Sequence, residues 1–306
     1  MRFVTFTGAD AAPRIGVLET DRILDLTGID GLPPTMLGLI ESGAPAWETA
    51  GRVLRERGVG LTHSLDAVQV RAPLPRPPSF RDFYAFEAHV RTAFANRGRE
   101  IPQEWYKFPA FYFSNPGSVL GPEERVAAPP GSEALDYELE VACIVGVGGR
   151  DIAADRAEGH IFGYTILNDW SARDLQQAEM RIGLGPAKGK DFASSLGPWI
   201  VTPDELADRS SGRAGVYDLA MSARINGVER SRGNWKDLYY SFGEMIARAS
   251  AGVDLFPGDV IGSGTVGTGS LLELTRGEGP WLRPGDVVEL EIERLGTLRN
   301  TVAGDR

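Results

Sequence analysis

Leu135-Asp136-Tyr137-Glu138-Leu139-Glu140-Val141-Ala142, running on into Cys143-Ile144-Val145, is the stretch on which the fold of this chain turns. Its apolar and β-branched residues predict a strand over 135–145. Residues two apart in a strand share a face, so Glu138 and Glu140 would present their carboxylates side by side. Downstream, a second apolar run over 161–168 ends in Asn168-Asp169-Trp170-Ser171-Ala172-Arg173-Asp174-Leu175-Gln176. Two adjacent anions repel. Burial would return their protons, whereas a divalent cation would keep both ionised as hard oxygen ligands, with Asp169 as a natural third. The plainer alternative is an acidic, solvent-facing strand edge with Tyr137 and Leu139 turned inward.

Working outward, short alternating runs over 2–26 predict a small β meander, and helical spacing follows over 36–57, stopping at Gly58. Pro73-Leu74-Pro75-Arg76-Pro77-Pro78 is a stiff spacer, so a small N-terminal domain is placed at 1–72 and the main domain at 73–306. Residues 83–94 read as a helix with Asp82 near its start, and 98–107 as a mobile loop. Ser171 reads as the N-cap of a helix that puts Arg173 and Gln176 on one face. Strands are expected at 198–202, 260–262, 271–274 and 287–292, a hairpin turn at Asn226-Gly227, and an amphipathic helix over 236–249. Strands outnumber helices without alternating with them. That pattern excludes a Rossmann sheet or TIM barrel and predicts a β-rich α+β fold with a mixed, rolled sheet.

The chain of 306 residues is 42% hydrophobic and 24% charged, enough for one large core and a small appended domain. A net charge of −10 with no basic block excludes a nucleic-acid partner. The 38 glycines and 20 prolines suit a turn-rich β protein. Cys143, the sole cysteine, is expected to be a small buried side chain. The Met1-Arg2-Phe3-Val4-Thr5-Phe6 start reads as a strand rather than a leader, and no apolar run reaches membrane-spanning length, so a cytoplasmic protein without a membrane partner is expected. Of three histidines, His63 and His160 sit in contexts that suit structural or solvent-facing roles. His89 lies seven residues after Asp82, two helical turns along, which would set both side chains on one helix face.

Together, Asp82-Phe83-Tyr84 with His89, the Asp136-Tyr137-Glu138-Leu139-Glu140 run, Asn168 to Gln177, Gly189-Lys190-Asp191-Phe192, and Gly264-Thr265 followed by Leu272-Glu273-Leu274 resemble the fumarylacetoacetate hydrolase family, and its fumarylacetoacetase-like branch in particular. The resemblance implies a β-roll main domain behind a small N-terminal β domain, and a homodimer. It implies metal ligation by Asp82, Glu138, Glu140 and Asp169, with Arg173, Lys190 and Gln176 offsetting the charge around an acidic substrate. His89 resembles the general base and Glu273 the carboxylate that orients it. Tyr84, Tyr112 and Thr265 resemble substrate contacts, although both tyrosines also read as half-buried aromatics with hydroxyls at a polar edge.

The reaction so implied is hydrolysis of a carbon–carbon bond in a ketonic substance, a β-diketo acid such as fumarylacetoacetate or an acylpyruvate such as fumarylpyruvate, as in aromatic catabolism. Carboxylate ligation suits magnesium or calcium, and also manganese. Met180 replaces a tyrosine of the fumarylacetoacetase branch, which bears on substrate more than on reaction. Two alternatives stand beside hydrolysis: a keto-acid decarboxylase, hydratase or isomerase on the same scaffold, and a noncatalytic metal-stabilised binding module.

Overall fold

The computed structural model describes residues 1–56 and 61–304. Its axis is the strand Leu139–Val145, buried along its whole length. Leu139, Val141, Cys143 and Val145 enter one core, while Ala142 and Ile144 enter another on the opposite face. A strand apolar on both faces belongs in the middle of a sheet. It pairs antiparallel with Ile161–Asn168 on one side and with Val260–Gly262 on the other. Each fully buried branched side chain there stabilises the fold by about 1.5–3 kcal/mol.

Beyond Val260–Gly262, the strand Phe80–Phe83 adds in parallel and Phe111–Phe113 closes that edge. In the other direction come Ser194–Val201 and then the meander Arg2–Thr7, Pro13–Glu19, Arg22–Asp25 and Thr62–Ser64. Pairing of Phe3 with Ile200 makes the N-terminal meander continuous with the large sheet. A second sheet runs Val228–Asn234, Ala220–Ile225, Val287–Ile292, Gly296–Val302 and Arg125–Val126. The larger core lies between the two sheets, joining Val141, Tyr164 and Ile166 to Met221, Leu290 and Leu298. The result is the mixed, strand-rich α+β architecture expected from the sequence, with both parallel and antiparallel pairs.

Several local expectations hold. Asn226 and Gly227 form the two-residue hairpin turn, both with positive φ (52° and 77°) as a type I′ turn demands. The strand Val287–Ile292 follows Arg283-Pro284-Gly285-Asp286, and Cys143 is buried. No described helix is long and apolar enough to cross a membrane.

Others are corrected. The helix expected over 36–57 is two, Met36–Glu41 and Ala44–Glu56, because Gly43 turns between them at φ 66°; the stop at Gly58 lies outside the described residues. Asp82 sits on the strand Phe80–Phe83, and the helix is Glu87–Ala95, so Asp82 and His89 do not share a helix face. The strand expected over 135–145 is broken at Tyr137-Glu138, and Leu135–Asp136 pairs instead with Ser171–Ala172. That pairing makes Ser171 a strand residue, and Ala172 precedes the helix Arg173–Ile182. The helix expected over 236–249 begins only at Phe242, where Ser241 and Glu244 form a capping box. Residues 98–107 are not a free loop: Gln103–Tyr106 form a 3₁₀ turn, and buried Trp105 donates its indole N–H to the Tyr84 carbonyl at 2.8 Å.

Candidate active site

Strand ends and three helices, Glu87–Ala95, Arg173–Ile182 and the short Leu271–Leu274, converge on a cavity of about 340 Å³. Asp82 comes from the parallel strand, Glu138 from the break before the central strand, Glu140 from the second residue of that strand, and Asp169 from just past the end of its antiparallel neighbour. All four carboxylates are buried. Ligand atoms of Asp82, Glu140 and Asp169 lie within 4.8 Å of one another. Glu138 stands beside this trio and is engaged differently, its two oxygens receiving Arg173 Nη2 at 2.8 Å and the Lys190 ammonium.

The backbone contributes as well. The Gly264 N–H is shared between Asp82 Oδ1 (3.2 Å) and Glu140 Oε2 (3.0 Å), and Thr265 Oγ1 donates to Glu140 Oε1 at 3.2 Å. Lys190 also donates to Asp169 Oδ2, an oxygen that accepts the Tyr112 hydroxyl at 2.5 Å. Asp169 Oδ1, buried, has no hydrogen-bond partner. An orphaned carboxylate oxygen costs free energy, and this one belongs to a trio of hard oxygen donors. That donor set fits a divalent cation of the magnesium, calcium or manganese type.

Titration follows from these surroundings. Burial raises Asp82 and Glu140 well above the ordinary carboxyl range; repulsion from Asp169 and Glu138 adds to it at Asp82, and repulsion from Asp82, Glu138 and Asp169 adds to it at Glu140. Asp169 is raised by burial, with Lys190 pulling the other way. Glu138 is equally buried, yet Lys190 and Arg173 overcome burial and lower its pKa. Lys190 and Arg173, desolvated themselves, are held charged by Asp169, Glu138 and Asp136.

On the far wall, His89 Nδ1 lies 2.8 Å from Glu273 Oε2, both side chains being buried. The contact is close but poorly aligned as a hydrogen bond. Glu273 sits on the short helix Leu271–Leu274, not on the expected strand, and is fixed by the Thr268 N–H (3.1 Å) and the Ser270 hydroxyl (3.3 Å). Ser270-Leu271-Leu272-Glu273 is the Ser-x-x-Glu pattern of a helix start, the signal that distinguishes it from a strand. Tyr84 packs edge-on against His89, ring centroids 5.4 Å apart, and burial raises its hydroxyl pKa. Gln176 accepts from Arg173 Nη1 at 3.1 Å, as their three-residue spacing anticipates. The structure thus brings every sequence-predicted site residue to this cavity or immediately behind it. His63, beside buried Asp25 at 3.3 Å, and His160, 2.7 Å from the Val147 carbonyl, are not among its lining residues.

Three contributors escape the sequence reading. Asp136, fully buried, receives Arg173 Nε at 2.8 Å and the N–H groups of Leu271 and Leu272 at 2.8 and 3.0 Å, so it joins the helix bearing Glu273 to the cation pair. Its place in the 136, 138, 140 alternation was the available signal. Gly264 acts through its backbone, which residue type does not disclose. Exposed Arg97 lines the cavity after the helix Glu87–Ala95, placing a positive charge near its mouth.

The profile of the fumarylacetoacetate (FAA) hydrolase C-terminal family matches residues 79–303. The chain is 32% identical over 310 residues to the mitochondrial oxaloacetate tautomerase FAHD2A of Homo sapiens, covering 99% of this chain and 91% of that one. Among solved structures it resembles the fumarylacetoacetate hydrolase of Exiguobacterium antarcticum (TM-score 0.77, 28% identity). It also resembles the maleylpyruvate hydrolase of Sphingobium sp. SYK-6 in complex with manganese(II) and pyruvate (TM-score 0.75, 26% identity), and each structure is matched over 100% of both chains.

Proposed function

This chain belongs to the fumarylacetoacetate hydrolase family, and from that premise we propose that it is a metal-dependent hydrolase cleaving a carbon–carbon bond in a β-diketo acid, fumarylacetoacetate or an acylpyruvate. The observation that carries the reading is the His89–Glu273 contact at 2.8 Å, with His89 lining the same cavity as Asp82 and Glu140 of the carboxylate trio. Asp82, Glu140 and Asp169 would hold the cation, with Glu138 as a fourth carboxylate shared with Arg173 and Lys190. Bound there, a divalent ion supplies Lewis acidity toward the carbonyl oxygens of a keto acid.

The residues of the chain do the rest. With Nδ1 turned to Glu273, His89 has Nε2 left for a water, takes its proton as hydroxide attacks the carbonyl carbon, and returns it to the leaving carbon. Glu273 keeps the ring oriented and stabilises the imidazolium. Negative charge on the departing enolate develops beside the buried cations Lys190 and Arg173, with half-buried Gln176 next to them in the cavity wall. Tyr84, Tyr112 and Thr265 line the substrate's position.

A second reading has its own support in the full-length similarity to an oxaloacetate tautomerase. There His89 would move a proton between carbon and oxygen of a keto acid, and no water would be consumed. Incubation with fumarylacetoacetate, fumarylpyruvate, acetylpyruvate and oxaloacetate, each with magnesium, calcium or manganese, followed by product identification, separates the two. Two acids from one substrate support hydrolysis; keto–enol interconversion or carbon dioxide release without such cleavage replaces it. His89→Ala is expected to lower hydrolysis by about 10²–10⁴-fold while leaving metal binding nearly intact. Full activity in that variant removes the general-base assignment.

The proposal includes a cytoplasmic homodimer and a division near residue 72, the latter supported by a family match that begins at residue 79.

A further inference from the structure

The loop between the helix Arg173–Ile182 and Lys190 is wound around one side chain. Glu179 Oε2 accepts the backbone N–H of Ala187 at 2.9 Å and of Gly189 at 3.3 Å, and Oε1 accepts that of Lys188 at 2.6 Å. Gly183, at φ 86°, ends the helix, and Gly185, at φ 145°, passes so close that a Cβ on it would lie 3.2 Å from Glu179 Cβ. Gly189 then lies against the helix backbone, where a Cβ would meet Gln176 N at 2.6 Å. The loop does not hold itself by burying its apolar side chains, because Ile182 and Leu184 are each 81% exposed. Three N–H donors on one carboxylate are charge-assisted bonds, the stronger class.

We propose that Glu179 is a positioning residue, a latch that orders residues 183–189 and so delivers the Lys190 ammonium to Glu138 and Asp169 while holding Gly185 and Pro186 in the cavity wall. Glu179 does not line the cavity and touches none of the proposed metal ligands. Its influence on turnover passes through the loop. The link to turnover rests on the catalytic reading of Lys190 given above; the link to loop order does not.

The test compares Glu179→Ala and Glu179→Gln with the wild type by hydrogen exchange, by manganese binding and by steady-state kinetics on the keto-acid panel. In Glu179→Ala, amides of 187–189 are expected to exchange about tenfold faster or more, with the central strand Leu139–Val145 unchanged. Manganese affinity should stay within about twofold, and kcat should fall about tenfold or more with the larger part of the loss in kcat rather than KM. Glu179→Gln, which keeps one acceptor oxygen, should recover part of both effects. Unchanged exchange at 187–189 in both variants overturns the latch, whatever the enzyme's substrate. Faster exchange with undiminished kcat overturns its role in positioning Lys190. If the wild type turns over no member of the panel, the functional reading fails by itself and the exchange data still decide the latch.

Discussion

Glu138 and Glu140 are two residues apart, equally buried, and pushed in opposite directions. Burial and neighbouring carboxylates favour a proton on Glu140, whereas Lys190 and Arg173 outweigh burial at Glu138 and keep it ionised. Their contributions to metal binding should therefore differ. Glu140→Gln replaces one oxygen of the trio by an amide nitrogen that cannot ligate, and a fall of at least about tenfold in manganese affinity is expected by calorimetry. Glu138→Gln should reduce affinity less, since its oxygens are already engaged by two cations, but it leaves Lys190 and Arg173 short of a counter-charge and should lower turnover. An equal loss of affinity in both variants would place Glu138 among the ligands on the same footing as Glu140.

At the scale of the element, the cluster exists because three strands bring their ends together at close quarters. Gly262 pairs with Asp82 in parallel register and with Ala142 antiparallel, and a Cβ there would meet Asp82 Oδ1 at 2.2 Å and Leu167 Cδ2 at 2.7 Å. Gly262→Ala should accordingly displace the Asp82 carboxylate, so that manganese affinity falls by at least about tenfold. Retained affinity in a folded Gly262→Ala protein would mean that the sheet yields there instead. These registers also explain what was legible in advance. The central strand with Glu140 in it can be read because period-two patterning is local, and the Arg173–Gln176 pair because helical spacing is; the break at Tyr137-Glu138 cannot, since pairing of Leu135–Asp136 with Ser171–Ala172 sets it. Asp82 and His89 read as one helix because Phe83-Tyr84-Ala85-Phe86 is apolar enough for either element; parallel pairing with Val260–Gly262, a contact distant in sequence, decides it. Asp136 accepts backbone N–H groups of the distant helix Leu271–Leu274, and Gly264 donates its own N–H to carboxylates of other strands, pairings that local spacing does not disclose.

For the whole molecule, the site is a concentration of negative charge that folding must tolerate. Five buried carboxylates, Asp82, Asp136, Glu138, Glu140 and Asp169, face two buried cations, Arg173 and Lys190. Without a metal, Asp82, Glu140 and Asp169 retain protons above the pH at which the same groups ionise in the unfolded chain, because burial raises all three. The folded state then binds more protons than the unfolded one, and the linkage relation makes stability fall as pH rises from the ordinary carboxyl range through the raised pKa values. Glu138 acts in the opposite sense, but its lowered pKa confines that effect to acid, where its contribution is lost as pH falls. The metal-free protein is thus expected to lose melting temperature between mildly acidic and alkaline buffer. A divalent cation replaces the protons as the neutralising charge, so its affinity should rise with pH, up to about tenfold per pH unit for each proton displaced. Melting curves of chelator-treated protein, recorded across pH with and without manganese, read both effects at once. The gap between the two sets should widen toward alkaline pH, and a gap independent of pH would show that the cation does not displace protons from this trio.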